Sequence, residues 1–187
     1  MAGDLLGKRV AILAADGVER VEVELPRGAL YGAGATCDLL APHTGEIQAR
    51  QFDLVSAGTL AVDRQVTYAS VSDYDALLLP GGTVNPDTLR INPDAVEFVK
   101  ACVAAHLPIA AICHGPWTLV EANAVTDRRM TSWPSLRTEL RCAGANWVDE
   151  EVVIDGELTT SRSPADLPAF CAAIVEQFAK AGQPAAS

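Results

Sequence analysis

Residues 108–115 read PIAAICHG, a short apolar run that ends in a thiol with an imidazole beside it. A cysteine attacks carbon only as its thiolate, so it needs neighbours that favour the charged sulfur. Ala111, Cys113 and Gly115 give the spacing small-x-Cys-x-small. A strand that turns sharply into a helix needs that spacing, because large flanking side chains would clash in the turn. Pro116 suits the start of the following helix. The helix N–H groups and dipole would then face the sulfur and favour thiolate, or an oxyanion on a substrate carbonyl. A buried, inert core cysteine is the competing reading. It holds for Cys102 and Cys171, which fall on helices beside apolar faces. At Cys113 the strand-to-helix junction and the adjacent His114 favour catalysis. Adjacency does not by itself make a Cys–His hydrogen bond, but His43 and His106 are less suitably placed.

A second candidate group follows the first apolar run. ADGVERVEVELP, residues 15–26, carries Glu19 and Glu22 three apart, on one face of a helix. A carboxyl beside a thiolate has a raised pKa and can donate a proton. A solvated acidic face is the preferred reading for Glu22 and Glu24; for Glu19 the pattern leaves the question open.

These residues need elements to hold them. RVAILAAD (residues 9–16), ATCDLLAP (35–42), YDALLLPGG (74–82) and PIAAI (108–112) read as buried strands. Between them lie helical patterns: residues 18–33, weakened by Pro26 and glycines, and residues 92–106, with Asn92 as cap, Pro93 at the first position and His106 near the end. Residues 46–70 alternate weakly and predict short strands or loops. SLRTELRCAG predicts a helix closed by Gly144. EVVIDGELTTS predicts a hairpin turning at Asp-Gly. The last helix is expected to be capped by Ser163, with Leu167, Phe170, Ile174, Val175 and Phe178 as its apolar stripe. Strands alternating with helices imply an α/β fold: one doubly wound, flavodoxin-like, mostly parallel sheet with helices on both faces. Ligands of such sheets sit beyond the C-terminal strand ends, where Cys113 falls. No repeat or linker divides the chain, so a single domain over residues 1–187 is expected, with an ordered core of about 8–180 and a loose tail at 181–187.

The chain has 187 residues and a net charge of −10. Such a length buries a sizeable core, and an acidic chain without a Lys/Arg cluster is a poor ligand for nucleic acid or anionic lipid. Five cysteines, none spaced as C-x-x-C, suggest neither a disulfide framework nor a zinc site. No basic-then-apolar leader and no membrane-length apolar run is present in the sequence. The expectation is a protein of a reducing cytoplasm, with no metal, no cofactor, no membrane and no nucleic-acid partner.

AICHGP resembles the cysteine elbow of the ThiJ/PfpI superfamily, within the class-I glutamine-amidotransferase-like fold. LAADGVERVEV resembles that family's first strand and glutamate-bearing loop, LLLPGGTVNPDTLR its Gly-Gly loop, and residues 131–170 its C-terminal third, so the likeness spans nearly the whole chain. Cys-His-Gly-Pro is closest to the PfpI branch of stress proteins. The resemblance implies Cys113 as nucleophile and His114 as its neighbour. It also implies Glu19 as the protonated carboxyl on the sulfur, and Gly81, Gly82 and Gly115 as backbone N–H donors. In PfpI-like proteases an acid from a neighbouring subunit orients the histidine. Asp87 is the nearest match, shorter than the family's glutamate and in a loop one residue longer.

The resemblance further implies a homodimer or larger assembly. It implies a cysteine hydrolase or lyase in stress protection, acting on a peptide, a small carbonyl compound or a glycated substrate, as peptidases, glutathione-independent glyoxalases and deglycases do. The alternative is an oxidative-stress sensor or holdase in which Cys113 is oxidised. Glutamine amidotransferase activity fits poorly, because that class uses a late His-x-Glu pair and no histidine follows His114.

Overall fold

The computed structural model describes residues 5–180. The tail expected to be loose lies outside the described residues. The strands, in chain order, are β1 (Arg9–Leu13), β2 (Val18–Glu19), β3 (Thr36–Ala41), β4 (Glu46–Gln51), β5 (Val55–Ala61), β6 (Arg64–Gln65), β7 (Ala76–Leu79), β8 (Ile109–Ile112), β9 (Arg129–Met130), β10 (Asn146–Trp147), β11 (Val152–Asp155) and β12 (Leu158–Ser161). The helices are α1 (Arg20–Gly32), α2 (Val84–Arg90), α3 (Pro93–Ala104), α4 (Pro116–Glu121), α5 (Arg137–Cys142) and α6 (Leu167–Ala179).

Seven strands form the central sheet in the order β11-β12-β8-β7-β1-β3-β6. All neighbours are parallel except β11 and β12. The five parallel strands β3-β1-β7-β8-β12 follow the flavodoxin-like order 2-1-3-4-5. The strand period of two sorts side chains onto two cores. On one face Val10, Ile12, Leu78, Ala110 and Ile112 pack against Leu30 of α1 and Phe170, Ile174 and Phe178 of α6. On the other, Ala11, Leu13, Leu77, Leu79 and Ala111 meet Phe98, Val99 and Cys102 of α3, with Leu119 and Leu140 from α4 and α5. Both faces being covered explains why these strands are continuously apolar rather than alternating. Among the described residues no helix is long and apolar enough to cross a membrane.

Four local expectations need correction. The helix expected from Val18 starts at Arg20, because Val18 and Glu19 first pair with Ala49 and Arg50 of β4. The hairpin turns at Gly156–Glu157, not Asp155–Gly156: Asp155 still pairs with Leu158, and Gly156 takes the positive φ of +59°. Ser163 does not cap α6 with its side chain. It precedes a single 3-10 turn at Pro164–Asp166, and α6 starts after it, with a proline in its first turn. His106 lies beyond the end of α3, in the reversal that follows, at φ +53°. Asn92 does cap α3, accepting from the Ala95 N–H at 2.9 Å, and Gly144 follows α5 at φ +92°.

In the weakly patterned region 46–70, β4 and β5 join β2 in a second, three-stranded sheet, while β6 joins the edge of the central one. Its β4–β5 hairpin tip, at Phe52 and Asp53, stands beside the C-terminal ends of the central strands, against Glu19 and Thr83.

Candidate active site

Cys113 follows β8 directly and sits at φ +61°. A residue with a Cβ adopts that left-handed conformation at a cost of roughly 1–3 kcal/mol, so its surroundings must hold it there. They do so through the backbone: its N–H donates to the Ser161 carbonyl of β12 at 3.1 Å, and its carbonyl accepts from the Trp133 N–H at 2.9 Å. Gly115 lets the turn close, since a Cβ there would lie 2.3 Å from the Leu79 carbonyl oxygen of β7. Gly81 meets the same demand from the facing loop. A Cβ on it would stand 2.6 Å from Glu22 Oε2 and 2.7 Å from the Cys113 Cβ. The small residues are therefore required by close backbone approach around the sulfur.

The carboxyl against the sulfur belongs to Glu22, not to Glu19. Glu22 is wholly buried at the start of α1, with its carboxyl beside the Cys113 side chain. Its Oε2 accepts from the Gly81 N–H at 2.7 Å, while Oε1 has no hydrogen-bond partner among the described residues. Glu19 turns toward the hairpin tip, where its Oε2 accepts from the Phe52 N–H at 2.7 Å. The reason is the late helix start. With Glu19 in β2, Glu22 occupies the first turn of α1, and its position on the helix points it inward. The assumption that both glutamates share one continuous helix does not hold.

The N–H donors also need reassignment. Gly115 donates to the Ile112 carbonyl at 2.8 Å, and Gly81 donates to Glu22, so neither is free for an oxyanion. The donors to the sulfur are the backbone N–H groups of Gly82 and His114. Helix α4 has only six residues, and these loop donors take the role expected of its start.

The electrostatics follow from burial. Burial and the Glu22 carboxylate push the Cys113 thiol well above the ordinary thiol range, against the pull of the Gly82 and His114 N–H groups. Burial pushes Glu22 up to about 8, against the Gly81 N–H, with the Glu19 charge adding to the rise. Two anions this close do not coexist in a buried site, and both shifts favour the protonated forms near neutral pH. The freely ionised, low-pKa thiolate expected from the sequence is replaced by a thiol beside a buried, protonatable carboxyl.

His114 is buried, with Nδ1 3.3 Å from Cys113 Sγ and Nε2 3.3 Å from Ser135 Oγ. Its ring lies between those of Trp117 and Trp133, at centroid distances of 5.5 and 5.9 Å. Burial lowers its pKa, opposed by the Asp53 charge, so it is a neutral imidazole at physiological pH. Asp87 is exposed on α2 and does not line the Cys113 cavity; within the chain, Nε2 of His114 faces a hydroxyl.

The sulfur opens into a cavity of about 710 Å³ at the C-terminal strand ends. Beside Cys113, His114, Glu19 and Glu22, its walls are Phe52 and Asp53 of the hairpin tip, Thr83, Trp133 and the segment 163–165. Asp53 is tied across to Thr83, accepting from its N–H and its Oγ, both at 2.6 Å. Sequence reasoning missed Phe52, Asp53, Trp133 and Ser135, because none belongs to a motif around the elbow; all are delivered by long-range packing. An exposed-type Phe-Asp pair between two alternating segments was the available signal for the hairpin tip. Among the described residues no group of three or more His, Cys, Asp or Glu side chains is placed to hold a metal ion.

Residues 8–177 match the model of the DJ-1/PfpI family. General stress protein 18 of Bacillus subtilis is 36% identical over 88% of this chain and 94% of its own length. A protein named as a deglycase in Pyrococcus abyssi is 38% identical over 87% of this chain and 94% of its own. Among solved structures, DJ-1beta of Drosophila melanogaster superposes with a TM-score of 0.82 at 26% identity, covering 93% of this chain and 91% of that one.

Proposed function

This chain belongs to the DJ-1/PfpI family, and from that premise we propose that it is a cysteine-dependent enzyme of stress protection acting on small reactive carbonyl compounds. The observation that carries the reading is the wholly buried Glu22 carboxyl, fixed by the Gly81 N–H beside Cys113 at its left-handed turn. A nucleophile that must add to a carbonyl and then shuttle a proton between adjacent carbons needs such a neighbour.

With methylglyoxal, Sγ adds to the aldehyde carbon. The oxygen takes the proton that the thiol gives up, and the Gly82 and His114 N–H groups stabilise the charge that develops on it. The Glu22 carboxylate then removes the proton from that carbon and returns it to the neighbouring one, leaving a lactoyl thioester on Cys113. Water cleaves the thioester to lactate and restores the thiol beside the carboxyl. Overall, one methylglyoxal and one water give one lactate and one proton.

The peptidase reading is weaker for this chain. A protonated, acid-oriented histidine is what a leaving amine requires, whereas His114 is neutral and faces Ser135. The test is methylglyoxal consumption with lactate formation by intact protein, Cys113→Ala and Glu22→Gln, beside a fluorogenic peptide panel. Lactate formed by the intact protein and lost in both variants is the expected result. Peptide cleavage alone would reverse the choice of substrate. No turnover of either, with clean oxidation of Cys113 by mild peroxide, would move the protein to the sensor class.

A further inference from the structure

We propose that Glu19 and Asp53 form a charge filter over Cys113, which admits neutral and cationic carbonyl compounds and rejects anionic ones such as 2-oxo acids. The inference rests on the reading of Cys113 as the nucleophile and names what else decides the substrate.

The two carboxylates enter the cavity wall from different elements, and both are fixed. Glu19, 4% exposed, is held by the Phe52 N–H. Asp53 is held by the Thr83 N–H and hydroxyl. The tip that carries Asp53 is bent for the purpose: Phe52 and Asp53 lie at φ +51° and +61°, left-handed conformations that neither side chain favours in isolation. The hydrogen bonds from the Phe52 N–H to Glu19 and from Thr83 to Asp53 are what hold them there.

Among the described residues no lysine or arginine lines the cavity. The nearest candidates along the chain are engaged elsewhere. Arg20 bonds the Ala57 carbonyl and pairs with Glu24, and Arg162 pairs with Asp149 and Asp166. His114, the remaining basic group of the cavity, is neutral. Glu22 also borders the cavity, with Oε1 buried and unpartnered among the described residues, so the floor presents an acceptor or a carboxyl proton rather than a cation. A concave site of one sign with low-dielectric walls concentrates its field, and a mobile anion entering it meets repulsion with no compensating partner. Phe52, Trp133 and Pro164 supply apolar wall suited to an uncharged ligand.

The test reads the charge preference at the sulfur itself and needs no turnover. Three methanethiosulfonates of similar size are used, bearing a trimethylammonium, a neutral or a sulfonate group. Each forms a mixed disulfide with a thiolate and releases methanesulfinate. Rates are followed at Cys113 and at the exposed Cys142 of the same chain by peptide mass spectrometry. Cys142 normalises the intrinsic reactivity of each reagent. The cationic-to-anionic rate ratio is expected to be about tenfold higher at Cys113 than at Cys142 at low ionic strength, and to shrink with salt. Glu19→Gln and Asp53→Asn should each lower it about threefold, and the pair together should bring it close to the Cys142 value. Glu97→Gln, which removes the same charge from the exposed face of α3, should leave it unchanged. Equal ratios at the two cysteines, or a ratio insensitive to both pocket variants, overturns the filter while leaving the cysteine chemistry intact. A Cys113 inert even to the neutral reagent overturns the proposal by removing the nucleophile, and the proposed function with it.

Discussion

Cys102 and Cys113 are both buried cysteines, and in both burial raises the thiol pKa. Cys102, on α3, is wholly enclosed by apolar side chains; desolvation alone lifts it to about 12, and nothing polar offsets that rise. Cys113 is nearly as buried, but it stands at a left-handed turn with two backbone N–H groups, an imidazole and a carboxyl around its sulfur. The difference teaches that what would set one buried sulfur apart for chemistry is fixed dipoles and a neighbouring carboxyl, not exposure. The fold holds Cys113 at the open end of the sheet, where parallel strands end and loops can converge.

The largest effect that would break this contrast is at the two sulfurs themselves. Cys113→Ala should abolish turnover and iodoacetamide labelling of that site. Cys102→Ala should leave turnover intact and instead lower unfolding stability by about 1–2 kcal/mol, the cost of a small void in a packed core. Denaturant titration and steady-state rates separate the two outcomes. Activity surviving in Cys113→Ala would dissolve the distinction.

The next effect sharpens it by comparing the two glutamates. Glu22→Gln keeps the shape of the side chain and can still accept from Gly81, but it can neither give nor take the proton. A fall in kcat of about 10²–10⁴ is expected, the usual worth of a positioned acid–base group. Glu19→Gln, which bonds the hairpin tip rather than the sulfur, should cost about tenfold or less with a neutral substrate and act on KM more than kcat. The reverse ranking would return the proton-holding role to Glu19.

That ranking also marks what the sequence could and could not disclose. The sheet, its order and the elbow at Cys113 were legible, because apolar runs, small flanking residues and Pro116 are local signals. The Gly-Gly loop was legible as a turn, but its division of labour was not. Gly81 donates to Glu22 and Gly82 to the sulfur, and only the approach of three loops decides which. The choice between Glu19 and Glu22 failed for a similar reason. Counting helical periodicity from Val18 assumes where the helix begins, and the pairing of Val18 with Ala49 on another strand sets the start two residues later. Trp133 and Asp53 were invisible because their roles come from contacts across 20 and about 60 residues of chain, in segments whose local pattern is weak.

The smallest effect is thermodynamic, and it tests the Glu22 proton without any substrate. The folded-state pKa of Glu22 is raised from 4.5 to about 8. Between those values the folded state holds a proton that the unfolded state has released, so unfolding releases it. Stability must therefore fall as pH rises through this window, by up to about 1.4 kcal/mol per pH unit, and level off above the folded pKa. The contribution is fully present below pH 4.5, the opposite of a salt-bridged carboxylate, whose contribution is lost in acid. Glu22→Gln carries no such proton. Its unfolding free energy, measured by denaturant titration from pH 5 to 9, should lose this downward slope, so that the variant gains on the intact protein as pH increases. Cys102→Ala should keep the slope between pH 5 and about 8, since that thiol is protonated in both states there. Equal slopes in the intact protein and Glu22→Gln would mean that Glu22 is ionised in the folded state at neutral pH. Glu22 would then stand as a buried carboxylate against the Cys113 thiol, able to act as a base but not as the acid.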